Sequence, residues 1–428
     1  MTAPVVTGVG VVAPSGVGTE PYWRSTLDGE LHVRPIEAFD ASGYDTTIAG
    51  QVPNFRSEDY LDDRLAIQTD RWTWMALAAT EFALADARYE VADRDRYHTG
   101  VAFGSGSGGV EFGQREIQAL WSRGRRAVSA YQSIAWFYAA NTGQVSIAQG
   151  TKGPSSVLVT DGAGGLDSVG YARRVIRRGT PAVLAGGTEA PLCPYSLACQ
   201  TSSGRMTTSP DPRHGYKPFD VEANGYAPGE GGAVLVLEDP VEAERRGVEQ
   251  VYAEVAGYAA THDAHHHHRP PADATQLTRC MRHAIADAGL SPGDIDLVIA
   301  DGAGSRDLDE LEVRAIRETF GSGADAVPVT APQGFIGRLC AGGSALNLVV
   351  GVLAIRDGVV PAVGNLADPV PGYGLDFVRE PRRVRVDSVL VNARGYGGFN
   401  SSVVLRRVSG LSTTRLRSRA ESRKGGDQ

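Results

Sequence analysis

Val159-Thr160-Asp161-Gly162-Ala163-Gly164-Gly165 reappears 140 residues further on as Ile299-Ala300-Asp301-Gly302-Ala303-Gly304-Ser305. In both copies Asp-Gly-Ala-Gly follows an apolar run of strand character. Ala76-Leu77-Ala78-Ala79, continuing to Asp86-Ala87, is echoed in the same way by Ala284-Ile285-Ala286-Asp287-Ala288. Self-similarity at a fixed offset predicts two related βα halves stacked in one body.

The surrounding pattern is α/β. Ala182-Val183-Leu184-Ala185 before Gly186-Gly187, and Ala233-Val234-Leu235-Val236-Leu237 after a glycine-rich turn, read as buried strands. Residues 166–178 place Leu166, Val169, Ala172 and Ile176 on one helical face; Arg177 and Arg178 favour the C-terminal dipole, and Gly179 ends the helix. Residues 274–289 repeat the pattern through Leu277, Met281, Ile285 and Ala288.

A chain of 428 residues, 42% hydrophobic and 21% charged, has material for a large core and is not a disordered polymer. Its 53 glycines have no strict period, which excludes collagen and points to tight turns and close backbone approaches. A net charge of −8 argues against a general nucleic-acid binder. Four cysteines (Cys193, Cys199, Cys280, Cys340) form no CxxC pair and no disulfide framework, so a reducing cytoplasm is expected. No signal peptide is visible at Val5-Val6-Thr7-Gly8. The most apolar stretch, residues 346–355, is broken by Asn347 and Gly351 and reads as too short to span a bilayer. Residues 409–428 carry five basic side chains without apolar period and read as a disordered basic tail.

Several motifs carry less than their spelling promises. Gly8-Val9-Gly10-Val11-Val12-Ala13 matches a dinucleotide fingerprint, but Pro14 follows at once and no acidic strand end stands about twenty residues on, so it reads as a first strand. Four adjacent histidines, His265 to His268, cannot converge on one ion from a regular element, and no metal site is expected. Gly104-Ser105-Gly106-Ser107-Gly108-Gly109 lacks the Gly-Lys-Ser/Thr ending of a phosphate loop and reads as a strand-to-helix turn. Asp161 and Asp301 are a candidate carboxylate pair for acid–base work.

The combination of Val5-Val6-Thr7-Gly8-Val9-Gly10, Lys217-Pro218-Phe219-Asp220, Gly225-Tyr226-Ala227-Pro228-Gly229-Glu230-Gly231-Gly232 and Gly395-Tyr396-Gly397-Gly398-Phe399-Asn400 is more specific. Over residues 4–407 the chain resembles the β-ketoacyl-ACP synthases. The resemblance implies a thiolase-like fold, two pseudo-repeated βα halves (1–245 and 246–408) in a five-layer αβαβα sandwich, with no cofactor. Working members carry a cysteine nucleophile at a strand-to-helix elbow, two histidines and a lysine. Matched position by position, the cysteine falls on Gly162, the histidines on Asp301 and Arg338, and the lysine on Gln333, whereas two structural acids are kept at Asp309 and Glu312.

The loss of all four groups resembles the chain-length-factor subgroup, the ketosynthase β subunits of bacterial type II polyketide synthases. Asn141-Thr142-Gly143-Gln144, Ala135-Trp136-Phe137-Tyr138 and Ala163-Gly164-Gly165-Leu166-Asp167 agree with it, whereas many members carry glutamine where this chain has Gly162. That resemblance implies a heterodimer with an active ketosynthase α subunit, access to acyl carrier protein through the complex, a polyketide chain as ligand, and no nucleic acid or membrane. It implies a tunnel lined by Val110, Gly113 and Ile117, with Tyr195, Ser196 and Leu197 beside it, and a partner contact through Ser133, Trp136, Phe137 and Tyr138. Val, Gly and Ile at the gating positions predict a deep tunnel and a long product. An ion pair between Asp301 and Arg338 is expected in the vacated space. The competing reading is an independent decarboxylase or hydrolase using Asp161, Asp301 and Arg338.

Overall fold

The computed structural model describes residues 3–92 and 96–408. Its twelve-stranded sheet resolves into two sets of five strands plus two short additions, Gly16–Val17 and Asp376–Phe377. The first set is Val5–Ala13, Thr99–Gly104, Ser155–Leu158, Ala182–Glu189 and Gly231–Glu238. The second is Ala253–His262, Leu297–Ile299, Pro328–Thr330, Ser388–Gly395 and Phe399–Arg406.

In both sets the spatial order from the centre outward is first, fifth, fourth, second, third. The inner two pairings are antiparallel and the outer two parallel in each. Among the described residues, the short ladder Val5–Glu254 and Val6–Ala253 stitches one set to the other. The echo in the sequence is thus a repeat of topology.

Helices complete five layers. Gly164–Ile176 and Cys340–Asp357 pack on each other between the sheets. Arg71–Ala87 and Ala140–Gln149 cover the outer face of the first sheet, and Thr275–Asp287 and Arg306–Phe320 that of the second. Cys340–Asp357 is apolar all round, and every residue from Ala341 to Ile355 is buried, as a middle-layer helix requires. The run 346–355 therefore belongs to a helix of 18 residues, long and apolar enough to cross a membrane by length and composition; the small residues Ala341, Gly342, Gly343, Ser344 and Ala345 extend it, and 83% of it is buried inside the protein.

Gly8 and Gly10 lie in the first strand and serve close packing rather than a ligand. A Cβ on Gly10 would stand 1.9 Å from the Ala79 carbonyl oxygen, and one on Gly8 2.3 Å from that of Ala83. The two helices read from periodicity run Gly164–Ile176 and Thr275–Asp287, within two residues of expectation at each end. The basic tail at 409–428 lies outside the described residues.

Candidate functional site

Three turns meet where the middle helices begin. After strand Ser155–Leu158, Asp161 adopts φ 51° and opens a 3-10 turn, Asp161–Ala163, that feeds helix Gly164–Ile176. After strand Leu297–Ile299 comes Asp301, followed by Gly302 at φ 54° and Gly304 at φ 71°. The third turn carries Gly337 and Arg338 into Cys340, which starts helix Cys340–Asp357 at φ 46°.

Arg338 and Asp301 form the expected ion pair. Arg338 Nη2 donates to Asp301 Oδ1 at 3.1 Å and Oδ2 at 3.0 Å, and to the Arg394 carbonyl at 3.0 Å. The Arg394 main-chain N–H donates to Asp301 Oδ1 at 3.0 Å. The side chains are 13% and 4% exposed, so the pair is nearly dry. Such pairs are costly to break because the survivor is a buried, unmatched charge.

The space at Gly162 is taken. A Cβ there would lie 2.4 Å from the Arg394 carbonyl oxygen and 3.2 Å from Arg338 Nη2. The guanidinium and the carbonyl it holds occupy the region a side chain at the elbow would need.

Buried acids shape the rest. Asp309 and Glu312, on one face of helix Arg306–Phe320, hold the turn after Asp301: Glu312 accepts from the N–H groups of Asp301 and Gly302 at 2.8 and 2.9 Å, and Asp309 from those of Gly304 and Phe219, each at 3.0 Å. Burial pushes Asp309 up to about 8, with Glu312 adding to it, and Glu312 up to about 7, with Asp301 adding. Glu189, at the end of its strand, accepts from the Gly106 N–H, the Ser107 N–H at 3.2 Å and the Ser107 hydroxyl. Burial lifts it to about 7 against those donors, helped by the Asp161 carboxylate. Asp161 itself accepts the Tyr396 N–H at 2.7 Å. Asp161 and Asp301 are therefore engaged by separate donors.

Cys340 stands at a turn-to-helix elbow. Burial first, then Asp161 and Glu189, hold its thiol well above the ordinary range, so it is a protonated, weak nucleophile. Gln333 is buried away from the cavity, against Gly343 of the following helix.

Asp161, Asp301, Arg338, Cys340 and Arg394 line a cavity of about 470 Å³ together with Val110, Trp136, Tyr138, Tyr195 and Ser196. Gly113, Ile117 and Leu197 do not reach it. Gly113 and Ile117 share a face of helix Val110–Arg123, but only its first residue touches the cavity: the Trp136 indole intervenes at Gly113, and Ile117 is 47% exposed. Helix Pro194–Thr201 offers Tyr195, Ser196, Cys199 and Gln200 to the cavity and turns Leu197 into the core. Ser133, Trp136 and Phe137 are exposed and Tyr138 is half-buried.

Sequence reasoning missed Arg394, Glu189, Asp263 and Arg205. Arg394 had a usable signal, since it directly precedes the Gly395–Asn400 motif; the others sit where no motif marks them. His266, His267 and His268 line the cavity as well: Tyr396 Oη bonds His268, Arg205 donates to the His268 carbonyl at 3.2 Å, and Asp263 pairs with Arg394 at 3.0 Å. No cluster fit to hold a metal occurs among the described residues.

Comparison with known proteins places this geometry. The family model described as Beta-ketoacyl synthase, N-terminal domain, matches residues 3–243, and Beta-ketoacyl synthase, C-terminal domain, matches residues 252–367. The chain is 50% identical over 413 residues to the tetracenomycin polyketide synthase ketoacyl synthase beta subunit of Streptomyces glaucescens, covering 95% of this chain and 100% of that one. The solved ishigamide ketosynthase/chain length factor is 27% identical with a TM-score of 0.89, covering 95% of this chain and 99% of that one. AntDE:AntF, a type II PKS acyl-carrier protein in complex with its ketosynthase bound to the hexaketide, matches with 28% identity and a TM-score of 0.86 over 95% of this chain and 99% of that one.

Proposed function

The chain belongs to the β-ketoacyl synthase family, and on that premise we propose that it is the non-catalytic chain-length factor of a type II polyketide synthase. It pairs with an active ketosynthase α subunit, which supplies the thiolate. It contributes the walls of the tunnel into which the chain grows during decarboxylative condensation of malonyl units delivered on acyl carrier protein.

The observation that carries the non-catalytic part is the filled elbow. Gly162 has no nucleophilic atom, and the Arg394 carbonyl and Arg338 guanidinium stand where one would project. The two positions that would polarise a thioester hold an ion pair, in which Arg338 Nη2 is committed to Asp301 and the Arg394 carbonyl. Cys340, which borders the cavity, is kept protonated.

Two further features support the reading. The cavity is walled by Val110, Tyr195 and Ser196 on the side where the tunnel is expected. On helix Val110–Arg123 and the segment that follows it, Trp121, Ile134, Trp136 and Phe137 are exposed, from 40% for Ile134 to 83% for Trp121, large apolar side chains suited to a permanent partner.

The test is reconstitution with an active ketosynthase α subunit and malonyl-loaded carrier protein. The isolated chain is expected to form no covalent acyl adduct and release no CO2, while Val110→Phe in the complex shortens the main product. An acyl adduct on the isolated chain, or a product length indifferent to residue 110, would overturn the reading.

A further inference from the structure

We propose that Trp136 sets the depth of the cavity, and that Gly113 acts on product length only by leaving room for the Trp136 indole. The inference rests on the chain-length reading above and assigns that property to a side chain and its seat.

The indole lies against the helix at Gly113. A Cβ on Gly113 would stand 2.8 Å from Trp136 Cδ1 and 3.5 Å from Nε1, the first closer than real Cβ contacts allow. Any residue other than glycine at 113 therefore moves the ring.

The backbone beneath the ring cannot follow. The Gly109 N–H donates to the Trp136 carbonyl at 3.2 Å. Cβ atoms on Gly108 and Gly109 would stand 2.8 Å from the Trp136 carbonyl and 2.0 Å from the Ala135 carbonyl, so the two chain segments already touch. Displacement must be taken up by rotation of the side chain. The indole packs on the helix at Gly113 and lines the cavity with Val110, Tyr138 and Tyr195, the Tyr138 ring centroid lying 6.2 Å away; it is 43% exposed in the single chain, and with the partner subunit covering that edge the cavity is the space left to it. A ring pushed off Gly113 enters the cavity and fills part of it, since an indole is among the bulkiest side chains. Gly113 thus governs a space it does not touch, and Trp136 is the positioning element between them.

The experiment uses the reconstituted complex and reads the product-length distribution, with assembly checked by size-exclusion chromatography. Gly113→Ala is expected to shift the main product shorter by at least one extender unit. Trp136→Ala is expected to shift it longer, and Trp136→Phe to give an intermediate distribution in a complex that keeps an aromatic ring at the position. Gly113→Ala combined with Trp136→Ala is expected to lose the shortening, because no ring remains to be displaced. The proposal falls if Gly113→Ala leaves length unchanged, if the double variant is as short as Gly113→Ala alone, or, should Trp136→Ala not assemble, if Trp136→Phe leaves length unchanged. Val110→Phe separates the two levels: its side chain enters the cavity directly, so if it shortens the product while the Trp136 variants do nothing, only this inference fails. If it also does nothing, the chain-length reading fails with it.

Discussion

Arg338 Nη2 lies 3.0–3.1 Å from both carboxylate oxygens of Asp301, at positions 37 residues apart that the topology brings to one spot. Each charge makes the burial of the other tolerable.

Removing one partner should therefore cost far more than removing both. Arg338→Met leaves Asp301 buried without its cation and is expected to destabilise the chain by about 3–5 kcal/mol. Arg338→Met with Asp301→Asn should recover most of that loss. Denaturant midpoints of the two variants in the assembled complex measure it; equal losses would show that the charges are independent.

A thiol placed at position 162 should not create chemistry. Gly162→Cys places a Cβ 2.4 Å from the Arg394 carbonyl, so the elbow must distort before a thiol can project. Intact-protein mass spectrometry after exposure to an acyl thioester is expected to find no adduct at position 162, and the melting temperature should drop. A stoichiometric adduct on the introduced thiol would show that the pocket is merely unfurnished.

Stability should fall as pH rises through neutrality. Burial lifts Glu189 and Glu312 to about 7 and Asp309 to about 8. In the unfolded chain these groups ionise near ~4–4.5. Between those limits the folded state holds more protons than the unfolded one, so the stabilisation is full below about pH 4 and is lost as pH climbs through about 8. Melting temperatures across that window at constant ionic strength should decline. Glu189→Gln, which keeps an acceptor for the Ser107 and Gly106 donors, should flatten the decline.

Phe137 is 53% exposed in the single chain, at the end of a segment whose aromatic neighbours line the cavity. Truncating it to Ala should weaken the heterodimer by about 2 kcal/mol, roughly 30-fold in Kd. Sedimentation or surface-based binding with the α subunit reads this directly, and an unchanged Kd would move the interface elsewhere.

Much of the architecture was legible because it is periodic. Leu166, Val169, Ala172 and Ile176 mark a buried helix face by spacing alone, and all four are buried. The paired Asp-Gly-Ala-Gly turns announced a duplicated fold, and the strand orders repeat. The proposed gating face was only partly legible. Val110, Gly113 and Ile117 do lie on one side of a helix, but helical periodicity says nothing about what stands in front of that side, and Trp136 stands in front of Gly113. Leu197 was misassigned for a related reason: adjacency to Tyr195 and Ser196 in sequence is not adjacency on a helix surface.

The sequence by itself determined that residue 162 carries no nucleophile, because glycine lacks one in any conformation, and it determined the layering, because apolar period dictates which faces must leave water. Only the tertiary structure decided that the space at Gly162 is filled. Whether Arg338 reaches Asp301, or a carbonyl from residue 394 blocks a Cβ at 162, depends on through-space distances between separate turns, the latter two far apart in the chain. Those distances are set by how the two sheets close on the middle helices, and no local pattern encodes them.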